Sequence, residues 1–594
     1  MSGIVHSFFG ALGTGNNRCR CATILVTISI EAAQTGCRRD AQGTDADSAR
    51  ADPANGRSSY FADITREVGL DFTFENGAGG KRWLAEIMPG GVALFDYDND
   101  GDLDIYFPNG HRGLGRSETG AGHANRLFRQ ENDGTFTDVT KESGLGDPGY
   151  GMGVAIGDID NDGDLDVYVS NLGHDQLYRN GGDGTFENVT RRAGIEVAGW
   201  SCSCAFFDYD RDGFLDLFVT RYVAWEPDKV CYSQAGVAGY CGPRAFVPVP
   251  DVLLHNNGDG TFTDVSAPAG INRVASPGLG IVCDDFDDDG WVDVYVANDL
   301  DANNLWINQR DGTFRDDALV SGAACNMFGR PEAGMGVIAA DFDNDGDSDL
   351  FMTHLSEESN TYYRNDGPMA GFVDVTGQVG LALSSIPYTG FGTVGFDVEL
   401  DGDIDIVVVN GRVREDSALP NAWVRPPYDA LAEPNLFYEN DGKGRFVRLE
   451  ERVAALCDPI EISRGLAIGD IDGDGDLELV VANLHGPARL YRNDAPRQGA
   501  WLSVRAIDPR LNRDAIGARV AVTAAGRRFT RTISSAFSYL SSSPSQVHFG
   551  LGPVQKIDNI KMRWPDGLVE TFADVPVNSA VVLTRGGGRS VGDE

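Results

Sequence analysis

Positive charge is what this chain has least of. Across 594 residues, 49 lysines and arginines stand against 89 aspartates and glutamates, a formal net charge of −40. A polyanion is repelled by such a field, so nucleic acid is excluded as a partner. Long apolar runs are scarce as well. Beyond residue 59 no stretch reaches the roughly 20 apolar residues of a membrane-spanning helix. The chain also lacks a serine nucleophile elbow, an HExxH zinc helix and a phosphate-binding glycine loop, so no familiar catalytic motif points to an enzyme.

The acidic residues are not spread evenly. One nine-residue loop occurs seven times, with carboxylates at positions 1, 3, 5 and 9 and glycine at position 6. The first carries Asp96, Asp98, Asp100 and Asp104; the second Asp158, Asp160, Asp162 and Asp166; the third Asp208, Asp210, Asp212 and Asp216. The fourth carries Asp285, Asp287, Asp289 and Asp293, and the fifth Asp341, Asp343, Asp345 and Asp349. The sixth carries Asp397, Glu399, Asp401 and Asp405, and the seventh Asp470, Asp472, Asp474 and Glu478. Carboxylates are hard oxygen donors, and this spacing aims them at one point. Glycine permits the sharp turn, and the position-7 carbonyl can complete the shell. That is calcium chemistry, and up to seven structural Ca2+ ions are expected. A single Asp/Gly turn is common and need bind nothing; repetition in one register is what argues for the ion. The loops hold 35 of the 89 acids, counting Asp284 with the fourth, and the 54 acids elsewhere nearly balance 48 basic residues. Arg211 sits inside the third loop, Glu399 replaces Asp in the sixth and Glu478 ends the seventh. Those three are expected to hold an ion weakly or not at all.

An EF-hand is excluded. It needs flanking helices and a Glu at position 12, whereas position 12 here is apolar, as in Phe107 and Val169. The flanks alternate like strands, so each loop joins two strands of a hairpin. A third strand recurs at Leu127, Leu177, Leu253, Leu305, Tyr362, Leu436 and Leu490. A fourth recurs at Phe136, Phe186, Phe262, Phe314, Phe372 and Phe446, often after an Asp-Gly turn. The loops are 62, 50, 77, 56, 56 and 73 residues apart, a constant core with insertions. Four antiparallel strands repeated seven times predict an all-β, seven-bladed β-propeller over residues 60–497. The seventh repeat lacks its fourth strand, and an unmatched copy at Phe61 precedes the first. The two are expected to pair and close the ring, which removes exposed edges. Residues 498–586 alternate apolar and polar with Gly and Pro punctuation, as a small β-sandwich-like domain would, and 587–594 reads as a disordered tail.

The repeats resemble the FG-GAP/VCBS type, the propeller repeat of integrin α-chains. Stretches 501–504, 512–522, 531–552 and 560–567 resemble the ASPIC/UnbV domain. Over about residues 60–590 the chain is similar to a bacterial member of the cartilage acidic protein 1-like family. The resemblance implies an extracellular binding or adhesion role, with calcium as a structural staple. The C-terminal domain is read as a structural cap rather than a ligand site.

Arg18 and Arg20 precede an apolar run at 22–30, and Cys37 follows. Residues 1–37 resemble a secretory signal of lipoprotein type with Cys37 as the lipidated residue, and 38–59 a disordered tether. Export to the periplasm, the outer membrane or the exterior is expected, with lipid on Cys37 as the only membrane contact. Cys231 and Cys241 bracket a Gly-rich insertion and are expected to form a disulfide. Cys202 and Cys204 alternate along a strand and are read as packed on one face; Cys283, Cys325 and Cys457 are read as free structural thiols.

The acidic loops join first to second strands on one face of the propeller. Loops between second and third strands emerge on the other and carry the insertions, at 109–123, 221–246 and 410–429, joined by a long inter-blade loop at 76–90. Five of eight histidines fall in these second-to-third-strand loops: His111, His123, His174, His354 and His485. Insertions on one face of a rigid scaffold are a usual seat of function. The candidate ligand contacts are His111, Arg112, His174, Arg221, Trp225, Asp299, His354, Arg412 and His485, with an extracellular glycan or protein as partner. The alternative is a calcium-stabilised lyase, isomerase or cyclase using a His/Glu pair in an axial pocket.

Overall fold

A computed structural model describes residues 59–111, 124–227, 229–232, 236 and 238–591. The signal and tether segment through residue 58, with Cys37, lies outside the described residues, as do Arg112 and His123.

Among the described residues, seven units of four antiparallel strands recur. The first runs Ala93–Phe95, Asp104–Phe107, Arg126–Gln130 and Phe136–Asp138, each strand pairing with the next. The innermost strands are Ala93–Phe95, Gly151–Gly157, Ala198–Phe207, Gly278–Asp284, Val337–Ala340, Gly390–Phe396 and Ser463–Gly469. Each packs against the next, and the last returns to the first, so the blades form a closed ring. The last blade is completed by Phe61–Asp63, with Phe61 opposite Asn493 and Asp63 opposite Tyr491. The expected pairing of the N-terminal strand with 489–493 is therefore present.

Glycine lines the axis because the inner strands crowd there. A Cβ on Gly280 would lie 2.2 Å from the carbonyl of Met335, and one on Gly336 would lie 2.1 Å from that of Phe391. Any side chain would push the blades apart. Between blades, the last residue of a third strand sends its side-chain amide to the acidic loop of the preceding blade. Asn180 donates to the Tyr97 carbonyl and Asn308 to that of Tyr209, both at 2.8 Å.

Two sheets form the C-terminal domain. Ala500–Asp508 pairs with Gln546–Gly552 and, in parallel, with Ser579–Thr584. The second sheet holds Arg519–Ala524, Arg527–Thr532, Asn559–Arg563 and Val569–Phe572. Leu502, Val504 and Phe549 of one sheet share a core with Val520, Val522 and Ile560 of the other, which makes a sandwich. The tail expectation is corrected here. Arg589–Ser590 pairs with Thr571 and Glu570, because the chain turns back at Gly586–Gly588 and extends the sheet.

Between Arg527–Thr532 and Gln546–Gly552 the chain leaves the sandwich and enters the propeller axis. Ser538 exchanges two backbone hydrogen bonds with Val337 (2.8 and 3.1 Å), and Ser542 donates to Val92 (3.0 Å) while accepting from Leu94 (3.1 Å). The inner strands' free edges are thus partly satisfied by this segment. Tyr539 and Leu540 are buried in the axial core with Met152, Leu279, Met335 and Phe391. From the opposite face the 76–90 loop descends, and the Tyr539 hydroxyl donates to the Met88 carbonyl at 2.8 Å. Segments thus enter the axis from both ends, and toward the acidic face a cavity of about 130 Å³ remains beside Ile338, Phe396, Arg531 and Phe537.

Cys231 and Cys241 form a disulfide. Cys202 and Cys204 are free and buried, but they do not share one face. A β-bulge between Ser201 and Cys204 shifts the register, so Cys202 joins the axial core and Cys204 the core between the second and third blades. No helix among the described residues is long and apolar enough to cross a membrane.

Candidate metal loops and the opposite face

The acidic loops share one geometry. Position 4 takes a left-handed backbone, as at Asn99 (φ 58°), Asn161 (60°) and Asn344 (60°), and position 6 does so as glycine. Asparagine tolerates that region and glycine is free in it. The position-1 carboxylate then accepts from the backbone of positions 5 and 6, as Asp96 does from Asp100 (3.1 Å) and Gly101 (3.0 Å). The position-9 carboxylate is buried and ties two elements together. Asp104 accepts from Tyr97 in its own loop (3.0 Å) and from Gln130 on the third strand (2.9 Å). The donor atoms of Asp96, Asp98 and Asp104 lie within 4.8 Å of one another, as do those of Asp158, Asp160 and Asp166, and of Asp285, Asp287 and Asp289.

Several of these oxygens are buried with no hydrogen-bond partner: one each on Asp98, Asp160, Asp208, Glu399 and Asp470, and both on Asp341. Burial raises the carboxyl groups well above their ordinary range, Asp104 to about 8, Asp158 to about 7 and Glu399 to about 7. Neighbouring carboxylates add to the shift at Asp158 and Glu399. Unpartnered, desolvated and mutually repelling oxygens are costly alone and favourable around a cation. The donor set is all oxygen in six loops, which fits calcium.

The C-terminal domain docks on this acidic face. Arg513 bonds Asp208 (3.4 Å) and the Gly213 carbonyl (3.2 Å), and Arg563 bonds Asp285. Arg519 bonds Asp288 (2.9 Å) and the Gly346 carbonyl. Arg527 bonds Asp403 (2.8 Å), and His548 Nε2 lies 2.9 Å from the Gly475 carbonyl. Arg513 and Arg563 thus meet the buried position-1 carboxylates of the third and fourth loops, while Arg519 and Arg527 meet Asp288 and Asp403 beside the ligand positions. Arg211, expected beside the third site, instead turns to the fourth loop, stacking on Trp291 (4.0 Å) and donating to the Gly290 carbonyl.

On the opposite face the candidate ligand residues fall into different settings. His485 is half-buried, stacked on Tyr428 (centroids 3.6 Å apart), with Nε2 2.8 Å from the Asn76 amide. Burial pushes its imidazole down to about 4. Glu86 is buried, with one oxygen unpartnered and its carboxyl raised to about 7 by burial. His111 packs edge-on against Tyr150 (5.7 Å), and His174 is exposed. Other candidates serve the scaffold. Arg221 donates to the Ala198 carbonyl (2.6 Å), Arg412 pairs with buried Glu433 (3.0 Å), and Trp225 packs edge-on against Trp200. Asp299 is buried and accepts from the Tyr222 hydroxyl (2.6 Å). His354 does not reach the surface: it is 1% exposed, because its backbone continues the sheet edge and bonds Asn360 and Gly390.

A model of the FG-GAP-like repeat matches residues 96–169, 158–219 and 285–352, and a model named ASPIC and UnbV matches residues 508–590. The chain is an FG-GAP-repeat protein with a C-terminal ASPIC/UnbV domain. Over 345 residues it is 27% identical to cartilage acidic protein 1 of Xenopus tropicalis, covering 56% of this chain and 41% of that one. Over 327 residues it is 26% identical to the Homo sapiens protein of the same name, covering 54% and 37%. The match thus spans about two fifths of the length of these curated relatives. Among solved structures it is similar to an Agrocybe aegerita lectin (16% identity, 61% of this chain, 79% of that one, TM-score 0.33).

In this FG-GAP propeller, sequence reasoning missed Tyr428 and Glu86 on the insertion face, and His255 beside the third acidic loop. The signal for His255 was present: it occupies the third-strand place held by arginine in four other blades.

Proposed function

We propose that the acidic loops bind calcium as structural staples of an exported propeller, and that the insertion face binds an extracellular glycan or protein at the cell envelope. The observation that carries the calcium reading is the set of buried, unpartnered carboxylate oxygens converging in the loops. Two further facts support the placing of recognition on the insertion face. The acidic face is occupied by the ASPIC/UnbV domain, and the insertion face presents aromatic rings beside polar groups, with Trp423 57% exposed and Tyr428 stacked on His485. Such rings suit stacking on sugar or peptide. The Cys231–Cys241 disulfide supports an oxidising compartment, and lipid on Cys37 would supply any membrane contact. The enzyme alternative needs an open axial pocket, and the packed axis around Tyr539 and Met88 speaks against it. Glycan-array screening of the calcium-loaded full chain, with Trp423→Ala and Tyr428→Ala beside it, tests the reading. Retained binding in both variants would remove recognition from this face.

A further inference from the structure

The third acidic loop differs from the other six in one donor. His255, on the third strand Val252–Asn256, places Nδ1 3.0 Å from Asp216 and 3.5 Å from Asp210. Donor atoms of Asp210, Asp216 and His255 lie within 4.8 Å of one another, as do those of Asp208, Asp210 and Asp212. Asp208 is only 7% exposed, and its Oδ1 has no partner. Its other oxygen is already taken, by the Gly213 backbone N–H (3.1 Å) and by Arg513. The equivalent third-strand residues of the other blades are Arg129, Arg179, Ile307, Arg364, Glu439 and Arg492, none of them an imidazole. The third loop is also poorer in charge. Position 7 is Phe214 there, whereas it is acidic in five others, at Asp102, Asp164, Asp347, Asp403 and Asp476.

These differences bear on which ion fits. Calcium takes six to eight hard oxygens and gains little from a nitrogen. Imidazole with carboxylates suits first-row dications and zinc. The nitrogen within reach of two aspartates is what sets the third loop apart, since the fourth also lacks a position-7 carboxylate, at Trp291, and also has a guanidinium on its position-1 carboxylate, Arg563 on Asp285. We propose that the third loop is a transition-metal site. It takes a zinc-class dication through Nδ1 of His255 and the carboxylates of Asp208, Asp210 and Asp216, beside loops that take calcium. On binding, the ion takes the Nδ1 lone pair, and any proton there moves to Nε2 or to solvent. The inference rests on reading the loops as cation sites. Its rival is that His255 only pairs with a carboxylate, as Arg179 does with Asp160 (3.1 Å).

The test uses the full chain saturated with calcium and then titrated with Co2+, followed by visible absorption and calorimetry. Mn2+ with pulsed electron paramagnetic resonance is run in parallel. The expected result is one further Co2+ equivalent with a d–d band, and coupling of Mn2+ to one imidazole nitrogen. His255→Gln and His255→Arg should weaken that equivalent roughly tenfold or more; arginine is the residue of four other blades, so it keeps the fold. The proposal is overturned if Co2+ binds the wild type no better than His255→Arg, or if Mn2+ meets oxygen alone. Calcium binding without the cobalt signal sinks this inference only. The cobalt signal without calcium binding sinks the calcium reading and leaves this one standing.

Discussion

Gln130 donates its side-chain amide to the carbonyl of Ile471 at 2.8 Å. The two residues lie at opposite ends of the propeller sequence, in the first and last blades. The same link joins every neighbouring pair of blades, with asparagine in the other six: Asn256 to Ile159, Asn365 to Phe286, Asn440 to Phe342 and Asn493 to Val398, besides Asn180 and Asn308. Each link starts at the residue whose backbone N–H meets the position-9 carboxylate, as Gln130 meets Asp104. Order in one acidic loop is thereby passed to the next blade. The ring is closed twice, by this amide and by the strand Phe61–Asp63.

Gln130→Ala should therefore cost about 1–2 kcal/mol, leaving a buried carbonyl unpaired. Denaturant unfolding with calcium present would show a lower midpoint at unchanged slope. No shift at all would mean the amide link carries no load at the seam.

Much of this was legible because the repeat announces itself. Seven aspartate loops in one register fix the blade, and the missing fourth strand after Leu490 points to Phe61. What the sequence hid was long-range. Nothing local says that residues 534–544 leave the sandwich for the axis, because Tyr539 and Leu540 look like any apolar pair in a strand. Likewise His354 reads as a loop histidine, since its burial comes from Asn360 and from Gly390 on the next blade. The bulge that separates Cys202 from Cys204 has no sequence mark.

Tyr539 should tie the two domains together. Tyr539→Phe loses one hydrogen bond to Met88, worth about 1 kcal/mol. Tyr539→Ala opens a cavity costing about 3–5 kcal/mol. Calorimetry of the alanine variant should split unfolding into two transitions, one for each domain. A single transition would show that the arginine contacts alone hold the domains as one.

On the insertion face, exposure separates the residues that can be changed freely from those that cannot. Arg221→Ala, Trp225→Ala and His354→Ala each remove a packed or bonded group and should destabilise by about 1–3 kcal/mol. Trp423→Ala, at an exposed ring, should leave the melting temperature within a degree or so. Equal losses across all four would contradict the division.

The buried carboxylates set opposite pH trends with and without metal. Asp104 is raised to about 8, Asp158 and Glu399 to about 7 and Asp470 to about 6, in each case first by burial. Unfolded, these groups titrate near 4. Between those values the folded metal-free chain holds more protons than the unfolded one, so its stability falls as pH rises from about 4 to about 8. Calcium needs the ionised form, so the loaded protein should lose stability as pH falls through about 7 to 6. Melting in EDTA should thus be higher near pH 5.5 than near pH 8, and melting in millimolar calcium the reverse. The same order in both would refute the assignment of these groups as ligands.

Thermal unfolding of the full chain with EDTA, with calcium restored and with magnesium restored addresses the central claim most directly. If calcium staples the blades, EDTA lowers the melting temperature by at least about 10 °C. Calcium returns it, and magnesium, which prefers a tighter octahedron, returns it less. A melting curve unmoved by EDTA would contradict the claim, because buried carboxylates this close cannot gain a cation without a change in stability.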